Sequence, residues 1–391
     1  MSETILLNYK KYILFLSKWE RAKKHTELVM ILLFIKIYSF IFYSPHSWAE
    51  EYDTPYLEKT TPLINDLKES RLPSRSNVME MVNLQSPVRS QGQRGTCTMF
   101  TTIGILEHLL IKEGFYKRDE IDLSEEYMQY IIMKDKLTEG SSTSRNFKAV
   151  YKYGFVKEKT WPYLGKKWLS LDDYPIARTT CGHLERKANL LKSCLLGHRD
   201  PRLMKMDEQE LYSFDREFLK IKENAFFNRD QHLPGLFKKR KSHKLKYVSS
   251  VKKLLNKGQS VIMGTKLYYG SWNSSKTTKL DIQKRDKEMF KKGIVTYPEI
   301  GSRDRRISGE KGGGHSIILV GYDDDVVVKS RMLMEDGSWK EFKYRGVYYF
   351  KNSWGTKFFG KNFMLGDKNL KGYGMITQKY AHEFGSFFQI N

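Results

Sequence analysis

Gln91-Gly92-Gln93-Arg94-Gly95-Thr96-Cys97-Thr98-Met99-Phe100 sets one cysteine after a glycine-bearing loop, at the head of an apolar run through Ile103, Ile105, Leu106, Leu109 and Leu110. The spacing predicts a helix that begins at the cysteine. The free N–H groups and dipole of a helix N-terminus stabilise a thiolate, so the position suits a nucleophile. A cysteine in an apolar helix is, taken alone, a small core residue. Its company downstream changes that. Gly312-Gly313-Gly314-His315-Ser316-Ile317-Ile318-Leu319-Val320-Gly321-Tyr322 puts a histidine at the start of a strand pattern, and Phe350-Lys351-Asn352-Ser353-Trp354-Gly355 puts an asparagine just past another. Cysteine, histidine and asparagine in this order supply a thiol, an acid/base partner and a group to orient the ring.

The three segments resemble those of the papain-like cysteine peptidases, and the first is closest to the bacterial branch of that family. The resemblance implies Cys97 as nucleophile, His315 as acid/base and Asn352 as the residue that orients the imidazole. It also implies that the Gln91 side chain shares the oxyanion site with the Cys97 N–H, and that Trp354 covers the His–Asn contact. Leu123-Ser124-Glu125-Glu126-Tyr127 and Thr160-Trp161-Pro162-Tyr163 match less specifically. Coverage runs over about 72–180 and 246–391. The implied fold is α+β and two-lobed, a helical lobe carrying the Cys helix packed on a β-barrel-like lobe carrying His and Asn. The implied substrate is a peptide or protein, with no cofactor and no metal.

The chain departs from the family signature C-G-[SA]-C-[WY], which here reads Arg94-Gly95-Thr96-Cys97-Thr98. Arg94 replaces a cysteine that many members pair in a disulfide, and Thr98 replaces an aromatic. Cys97 and His315 stand 218 positions apart (315 − 97), against about 130–150 in the family pattern. The surplus falls at 181–245, which contains a possible amphipathic helix over 208–224 and the basic run Lys238-Lys239-Arg240-Lys241. This insertion could cap the cleft, bind a partner or be a tolerated surface excursion.

The organisation read from the sequence is therefore a signal peptide or N-terminal anchor at 1–49, a polar leader at 50–75, a helical lobe at 76–180, the insertion at 181–245 and a β-rich lobe at 246–391. A second helix is expected over 125–137, and strands at 259–267, 316–321 and 345–350. The apolar run 29–43 follows Lys18, Arg21, Lys23 and Lys24 and precedes Ser47 and Ala49, small residues at −3 and −1 of a cleavage site after Ala49. Lys36 interrupts the run, which is shorter than the ~20 apolar residues of a membrane span. The leader is too short for the long helical propeptide that the resemblance implies.

With Cys97 set aside, Cys181 and Cys194 remain, either bridged or as two free thiols. A bridge agrees with export. In 391 residues, 40% are hydrophobic and 14% aromatic, enough for one large domain or two packed lobes. The mean hydropathy of −0.57 suits a soluble body after the N-terminal run. The charge of +23, from 68 basic and 45 acidic residues, suits a solvated basic surface or attraction to a polyanion. No zinc-finger cysteines, RNP-like aromatics or phosphate loop accompany it, so specific nucleic-acid recognition is not indicated. Asp323-Asp324-Asp325 reads as a charged turn. A silent papain-fold module on a polyanionic surface, or an acyl transferase using the same Cys–His pair, are the alternative functions; oligomeric state is not encoded in any motif.

Overall fold

Helices fill the first half of the chain and strands the second, in the computed structural model, which describes residues 62–236 and 242–390. The 1–49 segment, residues 50–61 of the leader and Lys238–Lys241 lie outside the described residues. The helices are α1 (Val78–Asn83), α2 (Cys97–Lys112), α3 (Glu125–Met133), α4 (Thr143–Tyr153), α5 (Pro175–Cys181), α6 (Ala188–Gly197), α7 (Glu208–Phe214) and α8 (Arg216–Leu236). After them come β1 (Ser242–Leu245), α9 (Val248–Asn256), β2 (Val261–Lys266), β3 (Ile294–Val295), α10 (Arg303–Lys311), β4 (Gly314–Leu333), β5 (Trp339–Lys351), β6 (Tyr373–Thr377), α11 (Gln378–Phe384) and β7 (Gly385–Ile390). One seven-stranded sheet runs in the order β1-β7-β2-β4-β5-β6-β3, antiparallel except where β3 meets β6. The α+β, two-lobed arrangement is thus the observed one.

Helix α2 begins at the predicted cysteine and is buried from Cys97 to Leu110, which explains why its apolar residues run on all sides rather than along one stripe. Gly104 fixes how closely α2 crosses the sheet, since a Cβ there would stand 2.6 Å from Ile318 Cδ1 of β4. One turn after Cys97, Thr101 Oγ1 meets Ser316 Oγ at 2.9 Å, tying the helix to the residue after His315. From the other side, Asn146 Nδ2 of α4 donates to Thr98 O at 2.9 Å.

Two expectations need correction. The Asp323–Asp325 run is not a turn. It lies inside β4 at a register shift between Asp323 and Val327, and the chain reverses instead at Asp336-Gly337, where Gly337 takes a φ of 81° that suits glycine. The β4–β5 hairpin is accordingly much longer than the two short runs expected. The 208–224 helix is also two helices. Asp207 caps α7 in a reciprocal box with Glu210, α7 ends before Asp215, and Asp215 Oδ1 accepts the Phe218 N–H as α8 starts.

The 181–245 segment is not a surface excursion. Leu196, Leu203, Met204, Leu211, Phe218, Ile221, Ala225 and Leu233 join the main core with α2 and α3. Cys181 and Cys194 form a disulfide between the ends of α5 and α6, within a second apolar cluster with Trp168, Leu171 and Leu184.

Candidate active site

Cys97 is the first residue of α2, His315 the second of β4, and Asn352 the first beyond β5. The β2–β4 register places His315 opposite Thr265 and Ser316 opposite Gly264. His315 Nε2 lies 2.8 Å from Asn352 Oδ1. An amide oxygen only accepts, so Nε2 carries the hydrogen and Nδ1 is left as the basic nitrogen. Trp354 stacks on the imidazole, centroids 4.6 Å apart and planes 27° from parallel, while Trp272 meets it edge-on at 5.4 Å. The backbone N–H groups of Ser316, Thr98 and Cys97 act on the thiol in favour of its charged form, and the Thr101–Ser316 bond holds the cysteine helix against the residue after His315.

Gln91 reaches the site through the strand ends. Its N–H donates to Ser353 O at 2.8 Å, and Ser90 pairs with Trp354. Its side-chain Oε1 accepts Ser353 Oγ at 2.7 Å, and Nε2 donates to Arg94 O at 2.6 Å. A carboxamide has two N–H donors, so one is left over from the Arg94 O bond, as the Cys97 N–H is left over at the helix start. That backbone N–H belongs to the first helical residue and has no acceptor within the helix.

Burial opposes the helix N-terminus that was expected to stabilise a thiolate. Cys97 and His315 are 1% and 2% exposed. Burial pushes the thiol up to about 12, against the opposing pull of the three backbone N–H groups. Burial likewise lowers His315 to about 4, the Asn352 bond opposing it. Both effects penalise charge cut off from water, so the closed site favours a neutral thiol beside a neutral imidazole.

The nucleophile loop is braced by groups that sequence reasoning missed. Arg94, with a fully buried side chain, donates through Nε to Glu139 Oε1 at 2.8 Å and through Nη2 to Leu196 O at 2.6 Å, and Nη1 stands 3.5 Å from Glu126 Oε1. Gly95 N–H donates to Glu139 Oε2 at 3.1 Å. His198, in the left-handed conformation that ends α6, sits 2.7 Å from Glu126 Oε1 under the Trp168 ring. Tyr163 OH reaches Thr96 Oγ1 at 2.7 Å and Gln91 O at 3.0 Å. The two weaker motifs thus serve the loop, Leu123–Tyr127 through Glu126 and Thr160–Tyr163 through Tyr163. The signal for the rest was faint: Arg94 stood out only as a departure, and Trp272 only as a tryptophan in the turn-rich run Tyr268-Tyr269-Gly270-Ser271. Among the described residues, no group of three or more His, Cys, Asp or Glu is arranged to hold a metal ion.

Residues 72–382 match the family described as Papain family cysteine protease. A relative, Cysteine proteinase 1 of Entamoeba histolytica, is 33% identical over 82 residues, which is 20% of this chain and only 26% of that protein's length. Among solved structures, Xylellain, a cysteine protease from Xylella fastidiosa, is 16% identical with a TM-score of 0.48, covering 86% of this chain and 94% of that one. The cysteine protease and lectin-like domains of Cwp84, a surface layer associated protein of Clostridium difficile, are 14% identical with a TM-score of 0.44, covering 91% and 60%.

Proposed function

Because the chain belongs to the papain family of cysteine proteases, we propose that it is an exported cysteine peptidase that cleaves peptide bonds through a Cys97 acyl-enzyme. The supporting observation is the hydrogen-bonded His315–Asn352 pair under Trp354, with the helix that begins at Cys97 tied through Thr101 to Ser316, the residue after that histidine. As the sulfur attacks a peptide carbonyl, its proton passes to His315 Nδ1, a C–S bond forms, and the carbonyl π pair moves onto oxygen. Gln91 Nε2 and the Cys97 N–H stabilise that oxyanion; one such donor is typically worth about 3 kcal/mol in the transition state. The oxyanion collapses, the C–N bond breaks, and His315 gives its proton to the departing amine. Water, deprotonated by the same ring, then hydrolyses the thioester. The frame around Gln91 and Cys97 favours the bacterial branch of the family.

Cys97→Ala and His315→Ala should each remove hydrolysis of a casein or mixed-peptide substrate while leaving the melting temperature within a few degrees. Equal turnover by wild type and Cys97→Ala would end the assignment. Labelling of Cys97 by a thiol-reactive epoxide, blocked in the variant, checks the nucleophile directly.

A further inference from the structure

Next in the chain after Trp272, a groove of about 1140 Å³ lies between the 273–289 segment and the β4–β5 hairpin. Trp272 connects the groove with the active site, its ring 5.4 Å from both His315 and Trp354, and the next residue, Asn273, lines the groove. Six cations line it: Lys284, Arg285 and Lys287 on one wall, Lys329, Arg331 and Lys343 on the other.

Three acids, Asp286, Glu288 and Glu341, line it too and are outnumbered by the cations. Asp286 is engaged in accepting the N–H groups of Glu288 and Met289, and Glu288 pairs with Lys291 at 2.5 Å. Glu341 lies across the strand pair from Arg331, which itself stacks over Trp339 at 5.0 Å. Among the described residues, Lys284, Lys287, Lys329 and Lys343 have no carboxylate within ion-pair distance.

Two features point to an anionic ligand. Lys329 and Lys343 stand directly opposite each other in the β4–β5 register, and like charges so placed destabilise a strand pair. Arg285 is fixed by Nε donating to Asn273 O at 2.5 Å, with its guanidinium 4.3 Å over the Phe290 ring, and it too meets no carboxylate there. An arrangement that repels itself when empty is relieved by a bound anion.

We propose that this groove binds an acidic stretch of the polypeptide substrate, on the side that carries the leaving amine. The proposal rests on the peptidase function above. His315 must reach the departing nitrogen, so the segment after the scissile bond leaves past Trp354, which is partly exposed, whereas Trp272 is fully buried. The groove exceeds the roughly 300–1,000 Å³ of sites that enclose a small molecule, which favours a length of chain. A nucleic acid would call for a series of stacking aromatics, whereas Trp339 is already covered by Arg331.

The test uses two fluorogenic peptides, identical before the scissile bond and bearing Glu-Asp-Glu or Gln-Asn-Gln after it. Wild type should cleave the acidic peptide with about fivefold higher kcat/KM, as expected of a few partly exposed charge contacts. Lys343→Glu, which gains Lys329 as a cross-strand partner, should abolish or reverse that preference, read as the ratio of kcat/KM for the two peptides. The Lys329→Gln/Lys343→Gln variant should do the same without adding negative charge. An acid preference equal in all three proteins, or no preference in wild type, overturns the proposal. So does heparin inhibition relieved by these substitutions when no acid preference exists, since the groove would then take a sulfated glycan. Failure to cleave either peptide would count against the peptidase function instead.

Discussion

Arg94 occupies a position where the family pattern has a cysteine, three residues before the nucleophile, and the structure shows what takes over from that staple. A guanidinium without water must have its charge matched. Burial alone would lower its pKa, and the Glu126 and Glu139 carboxylates outweigh that cost. The Leu196 carbonyl adds a third anchor from α6, so the loop before Cys97 is held by the segment after residue 181. Arg94→Met keeps much of the side-chain volume but leaves two carboxylates buried without their cation. We expect it to lower unfolding free energy by about 3–5 kcal/mol, read from urea denaturation, and to slow acylation as the Cys97 loop loosens. A loss under about 1 kcal/mol would show that the network is dispensable.

At the scale of elements, α2 does more than carry the thiol, because His108 on the same helix locks it to the sheet. The Ser260 N–H donates to His108 Nε2 at 3.4 Å, and Nδ1 lies 3.1 Å from Leu84 O and 3.0 Å from Gln85 Nε2. A second proton on Nε2 would face an N–H, and burial pushes the pKa from 6.5 down to about 4. The unfolded chain takes up that proton below about pH 6.5 while the folded one does not. The stabilisation is therefore complete above 6.5 and is lost as pH falls toward 4. Buried Glu107 and Glu125, raised by burial, work in the opposite direction, so a bare melting curve mixes the two. The difference between wild type and His108→Gln isolates this ring: its stability advantage should shrink by about 2 kcal/mol between pH 7.5 and 5. A constant difference across that range would refute the assignment.

The same scale shows what the sequence made legible. The starts of α2 and β4 and the end of β5 were readable because local signals coincide there: a glycine loop before an apolar run, three glycines before a β-branched run, and Asn-Ser-Trp-Gly after an aromatic strand. The role of the 181–245 segment was not. Its apolar residues meet α2 and α3 only through long-range packing, and a charged run such as Asp323–Asp325 looks like a turn unless one knows that a bulge lets β4 continue. Arg94, Glu126, Glu139 and His198 stand up to 104 positions apart in the chain, and nothing local relates them.

Over the whole molecule, compartment and stability are linked by the single bridge. Most of the described apolar residues belong to one core shared by helices and sheet, whereas α5 and α6 pack around the small cluster that holds Cys181 and Cys194. A cluster of that size contributes little cohesion alone, and a bridge across 13 positions supplies on the order of 3 kcal/mol by restricting the unfolded chain. Such a bond persists in an oxidising compartment and is kept reduced in the cytosol. Among the described residues no helix is long and apolar enough to cross a membrane. The disulfide supports the proposed export, and the sequence around Ala49 suggests the cleavage point. Mass spectrometry of protein recovered outside the cytoplasm should accordingly find a chain beginning at Glu50, with Cys181 and Cys194 bonded and Cys97 free. Reduction should lower its unfolding free energy by about 3 kcal/mol and, since Leu196 follows Cys194 by two residues and holds Arg94, should also slow peptide cleavage. Finding 181 and 194 as free thiols in that material, or a chain that retains the 29–43 run, would overturn the export proposal while leaving the Cys97 chemistry to stand on its own test.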